Sequence, residues 1–307
     1  MRKRPRFRRL QEALLWAGIR LLWASFRLVP LAGLRWFIKV MTHLAYLFMR
    51  RRKKIALGNL GLAFGNDKSE KEKRAICKRS MINFSSAFVE VLYFVHYPEK
   101  LDGSVVEVEG RENLEAAISQ GRGVVVFSAH LGNFGLGMMR LVRLGYPVNV
   151  VVRNPRLEPL ARFLGQISQD FGLTFIPDRP ALTCTQRCLE ALSGKQILFL
   201  LIDLNVGRGA IYVDFFGKLV PTFKGPAVLA LRTGAPILPM FMVRDDTGKH
   251  KLIIEPAIEY QTSGDRKRDV YELTARFSKA AESYIRAHPE QWFWLHRRFR
   301  KARMIGS

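Results

Sequence analysis

Apolar residues crowd the chain between Leu10 and Met49, but cations keep breaking in. Arg20, Arg27, Arg35 and Lys39 interrupt the stretch, and its longest uncharged run, Val40–Met49, is ten residues. A spanning helix needs about 20 mostly apolar residues, and a central arginine costs roughly 2.5–3.5 kcal/mol on insertion scales. Arg20 and Arg27 lie one heptad apart and share a helix face, while Leu14, Leu21, Leu22, Trp23 and Phe26 fill much of the remainder. Pro30 divides the stretch into two helices. The pattern predicts an interfacial helical hairpin or a shallow re-entrant anchor. A single span with snorkelling arginines is the competing reading.

Downstream the pattern changes. Lys68–Val95 reads as one long helix with charges at its start. Beyond Pro98, strand-like and helix-like runs alternate. Strands are predicted at Val105–Glu109, Val124–Ser128, Val148–Val152, Gln196–Ile202, Ile237–Arg244 and Lys251–Ile254. Helices are predicted near Glu112–Ser119, Asn133–Leu144, Leu157–Phe171, Ala181–Leu192, Lys224–Arg232 and Tyr271–Ala287. Unbroken apolar strands such as Ile197–Ile202 imply a sheet covered on both faces. The expected fold is therefore α/β, a mixed, mostly parallel sheet flanked by helices, preceded by a membrane-associated helical segment. Residues 1–54 are expected to form the basic anchor and 55–307 the α/β domain.

Charge sharpens the membrane reading. The 307 residues carry a net +24. Residues 1–54 hold 15 Lys/Arg against the single acid Glu12, and residues 286–307 hold 6 against Glu290. The 231 residues between them hold 29 against 24 acids, a surplus of only five. A nucleic-acid groove would carry its charge on the folded body among exposed aromatics. Cations at the ends, around apolar segments, suit an anionic membrane surface instead. Cys77, Cys184 and Cys188 form no disulfide framework and no zinc spacing, and read as packing residues of a reducing compartment.

The candidate chemistry starts at His130. The apolar run Val124–Ser128 ends at Ala129-His130, and Gly132 and Asn133 open the next helical pattern. A strand-to-helix turn sits at the mouth of an α/β sheet beside free backbone N–H groups. Imidazole placed there can serve as a general base, or it can merely satisfy the turn. Arg153, in Val152-Arg153-Asn154-Pro155, suits a phosphate or an acyl donor, with a solvated loop arginine equally open. Asp203 ends a predicted central strand and precedes the glycine-bearing loop Asn205–Gly209. Phe215-Phe216-Gly217, Thr222 and Gly225-Pro226-Ala227 come next. These can line a site for a polar head and an apolar chain, although Phe215-Phe216 alone reads as core. His288–Phe299, dense in aromatics and cations, reads as an interfacial amphipathic helix.

In order and spacing these blocks resemble the late acyltransferases of lipid A biosynthesis, within the lysophospholipid acyltransferase-like superfamily. The resemblance covers essentially the whole chain, including Thr233-Gly234-Ala235-Pro236-Ile237, and is most specific from Pro289-Glu290-Gln291-Trp292 to Arg297-Arg298-Phe299. It implies an enzyme at the cytoplasmic face of the inner membrane, with no metal and no dissociable cofactor. Such an enzyme moves a fatty acyl group from acyl carrier protein, or a related thioester, to a hydroxyl or amine of a lipid or glycolipid acceptor. His130 would be the general base, and backbone N–H groups of Gly132 and Asn133 would serve the thioester oxyanion. Arg153, Phe216, Gly217 and Thr222 would bind substrate. One departure stands out. The family's His-x4-Asp/Glu motif places a carboxylate at position 135, where this chain has Gly135. Either another carboxylate orients the base, with Asp203 the candidate, or the protein is a catalytically impaired relative that binds lipid or acyl carrier protein.

Overall fold

The structure, a computed structural model, describes residues 6–304 except Asn154, Arg156, Gly207, Arg208 and Asp246. Asn154 of the Arg-Asn-Pro block and Gly207 and Arg208 of the glycine-bearing loop therefore lie outside the described residues. The first third of the chain is helical: α1 (Arg6–Ser25), α2 (Leu31–Phe48), α3 (Arg50–Phe64) and α4 (Glu70–His96). Then β1 (Val106–Glu109), α5 (Arg111–Ser119), β2 (Val124–Ser128), α6 (Phe134–Arg143), β3 (Val148–Val152), α7 (Glu158–Phe171), β4 (Thr174–Pro177), α8 (Ala181–Ser193) and β5 (Ile197–Leu201) alternate. A hairpin of β6 (Ile211–Phe215) and β7 (Lys218–Thr222) precedes α9 (Gly225–Thr233), β8 (Ile237–Arg244), β9 (His250–Ile254), α10 (Arg266–Ala287) and the short β10 (Arg303–Met304).

The α/β reading holds. Seven strands make one sheet in the order β1-β9-β8-β2-β5-β3-β4, parallel throughout except for the β8–β9 pair. Successive side chains of a strand point to opposite faces, so the central strands feed two cores. Val125, Phe127, Leu198, Leu200 and Phe241 pack with α3, α8, α9 and α10 on one side. Val124, Val126, Phe199, Leu238 and Met240 pack with α4 to α7 on the other. The second sheet, β10-β7-β6, is antiparallel and packs against α10.

The stretch divides into two helices, as the pattern predicts: α1 ends at Ser25, a turn follows, and Pro30 N-caps α2. Two interrupting cations find partners on α4: Arg27 donates to His96 Nδ1 at 3.3 Å near the surface, and Arg35 donates to the buried Glu90 carboxylate at 2.8 Å. The outer face of α2 stays apolar, with Trp36, Phe37, Leu47 and Phe48 exposed. Among the described residues no helix is long and apolar enough to cross a membrane. Helix α3 runs straight through residue 54, and Ala56 and Leu60, just beyond it, are fully buried in the core. Helix α4 starts on a capping box in which Ser69 and Glu72 satisfy each other's backbone N–H groups.

The largest correction is at the C-terminal end. His288–Phe299 is not an amphipathic helix at an interface. Pro289–Gln291 form one 3-10 turn, and the chain then runs on as an irregular strap with Trp292, Trp294 and Arg298 fully buried. Asn59 of α3 holds it by donating to the carbonyls of Trp294 and His296 at 2.8 and 2.6 Å. Helical spacing of aromatics suggested an exposed stripe, but tertiary burial took both faces.

Removing Trp294, which is 0% exposed, should therefore leave a large cavity. Trp294→Ala is expected to cost about 3–5 kcal/mol in denaturant unfolding. Phe48→Ala, on the outer face of α2, should cost under about 0.5 kcal/mol in the same measurement.

Candidate active site

Strands β2 and β5 are parallel neighbours with Ser128 opposite Leu201, so the residues just beyond them emerge together at the C-terminal edge of the sheet. Those residues are His130 and Asp203. Their side chains meet, His130 Nδ1 to Asp203 Oδ1, at 2.8 Å. The His130 backbone N–H donates to Oδ2 at 2.9 Å, and the indole N–H of Trp292 reaches the same oxygen at 2.7 Å. A carboxylate only accepts hydrogen bonds, so Nδ1 carries a proton, and in the neutral ring Nε2 presents its lone pair. Burial alone would push the Asp203 carboxyl up. The charge and hydrogen bonds of His130, with the Trp292 N–H, outweigh it and hold the group below the usual carboxylate range. The His130 side chain is 16% exposed and packs edge-on against Phe134 at 5.1 Å between ring centroids.

Beside this pair lies a groove of about 720 Å³, within the usual range of ligand pockets. Its walls are Ile38, Met41, Thr42 and Ala45 of α2, Met49 and Arg52 at the start of α3, Met81, Phe84 and Ser85 of α4, and Phe293 and Leu295 of the strap, a mostly apolar lining. Phe293 links groove and pair, because its N–H donates to the His130 carbonyl at 3.1 Å. His296 also lines the groove, its Nε2 accepting from the Asn205 N–H at 2.8 Å. Burial lowers its pKa, and His130, Arg298 and Arg153 lower it further against the raising effect of Asp203. His296 therefore stays neutral, with its proton on Nδ1.

Other residues singled out in the sequence are placed differently. The Gly132 N–H is spent on the Gln291 carbonyl at 3.0 Å, so it cannot serve an oxyanion. Gly132 is glycine for packing reasons: its φ is +56°, and a Cβ would sit 2.2 Å from the Met242 carbonyl oxygen. The Asn133 side chain caps α6 through the Leu136 N–H and is otherwise committed to α4. The backbone N–H groups of Asn133, Phe134 and Gly135 make no hydrogen bond among the described residues, and they face outward from the start of α6. Thr222 is buried and accepts from Arg298 at 2.6 Å. Phe216 and Gly217, both at positive φ, form the two-residue turn of the β6–β7 hairpin. Phe216 packs there against Phe64, Phe215 and Trp294, the core reading of Phe215-Phe216. Arg153 stands 84% exposed, 3.4 Å from Asp178.

Sequence reasoning missed Trp292, Glu90 and His296. Only Trp292 and His296 left a trace, inside an aromatic and cationic block that it assigned elsewhere. Among the described residues no three His, Cys, Asp or Glu side chains group as a metal site.

A carboxylate held low in the fold stabilises it above the ordinary carboxylate pKa, and that contribution disappears as pH falls through the folded value. Denaturant unfolding from about pH 6 to about pH 3 should show stability rising with pH at the acid end. Asp203→Asn should flatten that slope; an unchanged slope would mean that Asp203 is not held low.

The family model and the lipid A relatives match nearly the whole chain. A family model described as bacterial lipid A biosynthesis acyltransferase matches residues 1–301. The chain is 30% identical over 303 residues to a lipid A biosynthesis palmitoleoyltransferase of Escherichia coli, covering 96% of this chain and 93% of that one. It is 28% identical over 290 residues to a lipid A biosynthesis lauroyltransferase of the same species, covering 94% and 91%. A phosphatidylinositol mannoside acyltransferase of Mycobacterium tuberculosis is 29% identical over 192 residues, 61% of this chain and 58% of the relative. With His130 and Asp203 paired at the sheet's C-terminal edge beside an apolar groove, the chain belongs to the bacterial lipid A biosynthesis acyltransferase family.

Proposed function

We propose that this acyltransferase works on a membrane surface, moving a fatty acyl group from an acyl carrier protein thioester to a hydroxyl of a glycolipid acceptor. The observation that carries the proposal is the His130–Asp203 pair, which leaves Nε2 as a base at the mouth of the sheet. The acceptor hydroxyl gives its proton to Nε2 as its oxygen attacks the thioester carbonyl. The C–S bond then breaks, and the leaving thiolate takes the proton from Nε2. Asp203 stays ionised throughout and steadies the imidazolium. The unpaired N–H groups at the start of α6, Asn133 among them, are the donors for the oxyanion. The acyl chain lies in the groove between α2 and α4. Two of the relatives are named for lipid A and for phosphatidylinositol mannoside, which supports a glycolipid acceptor.

The proposed place of work is the cytoplasmic face of the inner membrane, a reading supported by the exposed apolar residues of α2 and the basic residues 50–54 beside it. Trp36→Glu/Phe37→Glu/Phe48→Glu should shift the protein from the bound to the free fraction with vesicles containing phosphatidylglycerol. Unchanged binding would place the attachment elsewhere.

Lipid mass spectrometry of cells with and without the gene tests the reaction, since a missing acylated glycolipid identifies the acceptor. With acyl carrier protein, which is acidic, turnover should fall as salt rises. Insensitivity to salt, or faster turnover with acyl-coenzyme A, counts against the carrier. His130→Ala should abolish transfer, and Asp203→Asn should cost about 10²- to 10⁴-fold. A silent Asp203→Asn, together with a Gly135→Glu that creates activity, would instead support a binding protein.

A further inference from the structure

Between α4 and α6 lies a buried carboxylate that the acyl transfer leaves unused. Glu90 of α4 is 0% exposed. Its oxygens accept from Arg244 Nη2 at 2.7 and 2.5 Å, from Arg35 Nε at 2.8 Å and from Asn133 Nδ2 at 2.8 Å. His250 Nε2 lies 3.2 Å away. Burial alone would raise its pKa. The hydrogen bond from His250 and the charges of Arg244, His250 and Arg35 outweigh this and hold it at about 2. Glu90 is thus a charge taken out of water and ringed by donors from α2, α6, β8 and β9.

Asn133 connects that charge to the catalytic turn. Its Nδ2 is held by Glu90 and by the Ala87 carbonyl, which leaves Oδ1 aimed at the Leu136 N–H to cap α6. The other flank is tied as well. Gln291 exchanges hydrogen bonds with the Arg244 backbone at 2.8 and 2.7 Å, and its own carbonyl takes the Gly132 N–H. Both arms holding the His130–Asn133 segment therefore converge on Glu90 and its partner Arg244.

Position 135 faces the same seam. The φ of Gly135 is not left-handed, so the backbone there does not demand glycine. What excludes a side chain is α4: a Cβ would lie 2.6 Å from Val91 Cγ2, with Asn133 Oδ1 next at 3.4 Å. A side chain at 135 would thus start between Val91, the neighbour of Glu90 on α4, and the Asn133 amide that Glu90 holds, while His130 Nδ1 already has Asp203 from the neighbouring strand. The two acids meet different needs. We propose that Glu90 supplies from α4 the buried carboxylate that a His-x4-acid sequence supplies from α6, and that it is a positioning residue for the His130 turn. The inference rests on the acyl-transfer reading.

The test moves the charge. Glu90→Gln, Glu90→Gln/Val91→Ala and Glu90→Gln/Val91→Ala/Gly135→Asp are compared with the unaltered protein by amide hydrogen exchange, thermal unfolding and acyl-transfer kinetics. Glu90→Gln should lower kcat about 10- to 100-fold while KM changes less than about 3-fold, as expected for a displaced catalytic group. Exchange should quicken at residues 131–137 while the central strands keep their protection. Val91→Ala should add nothing, and Gly135→Asp should then restore at least about 10-fold of kcat and slow the local exchange, which general destabilisation cannot explain. A folded Glu90→Gln that keeps kcat within about 3-fold overturns the proposal, as does a triple variant no better than the double. If Glu90→Gln does not fold, the triple decides: folded and active supports the proposal, while inactive or unfolded overturns it. If the unaltered protein transfers no acyl group, the acyltransfer reading fails, and the exchange data still decide whether Glu90 holds the turn.

Discussion

A carboxylate withdrawn from water must be given donors or lose its charge, and Asp203 is given three. Meeting that need organises the structure around it. Parallel pairing of β2 with β5 brings the ring and backbone N–H of His130, and the strap is drawn beneath the sheet edge to bring the indole of Trp292. Once there, the strap buries Trp294 against Phe64 and Phe216 and places Phe293 and Leu295 along the groove. Arg298, pulled into the same interior, is pushed down to about 10 by burial despite the opposing pull of Asp203. Its Nη1 and Nη2 donate to the Pro221 and Leu204 carbonyls and the Thr222 hydroxyl, while its Nε is buried without a partner among the described residues.

What could be read in the sequence was what local physics decides. The unbroken apolar run of β2 demanded a doubly covered sheet, Pro30 could not continue a helix, and the residues ending β2 and β5 were chemically conspicuous. Non-local needs decided the rest. The β6–β7 hairpin turns on Phe216-Gly217, which lacks the Asn-Gly or Asp-Gly signature of such turns. The four-residue edge strand β4 is too short to show a period. Arg35 looked like a snorkelling cation because its partner, Glu90, is 55 residues away. Gly132 suggested an oxyanion donor until the strap claimed its N–H.

The N-terminal helices have two jobs on opposite faces. Inward, α2 delivers Arg35 to a buried charge and lines the groove with Ile38, Met41 and Ala45. Outward, it leaves Trp36, Phe37 and Phe48 uncovered. Met41 and Phe84 belong to both descriptions, since each lines the groove and each remains partly exposed. The apolar surface of α2 and the groove therefore share residues, with Thr42, Ser85 and Arg52 adding polar groups to the groove wall.

Trp292 reaches Asp203 across 89 residues of chain. During synthesis the amino-terminal helices emerge long before the strap, so the face suited to lipid can exist while the base still lacks its full support. Under the proposed attachment through α2, order of appearance separates docking from chemistry: an unfinished chain would reach its working surface while the His130–Asp203 pair still lacks Trp292.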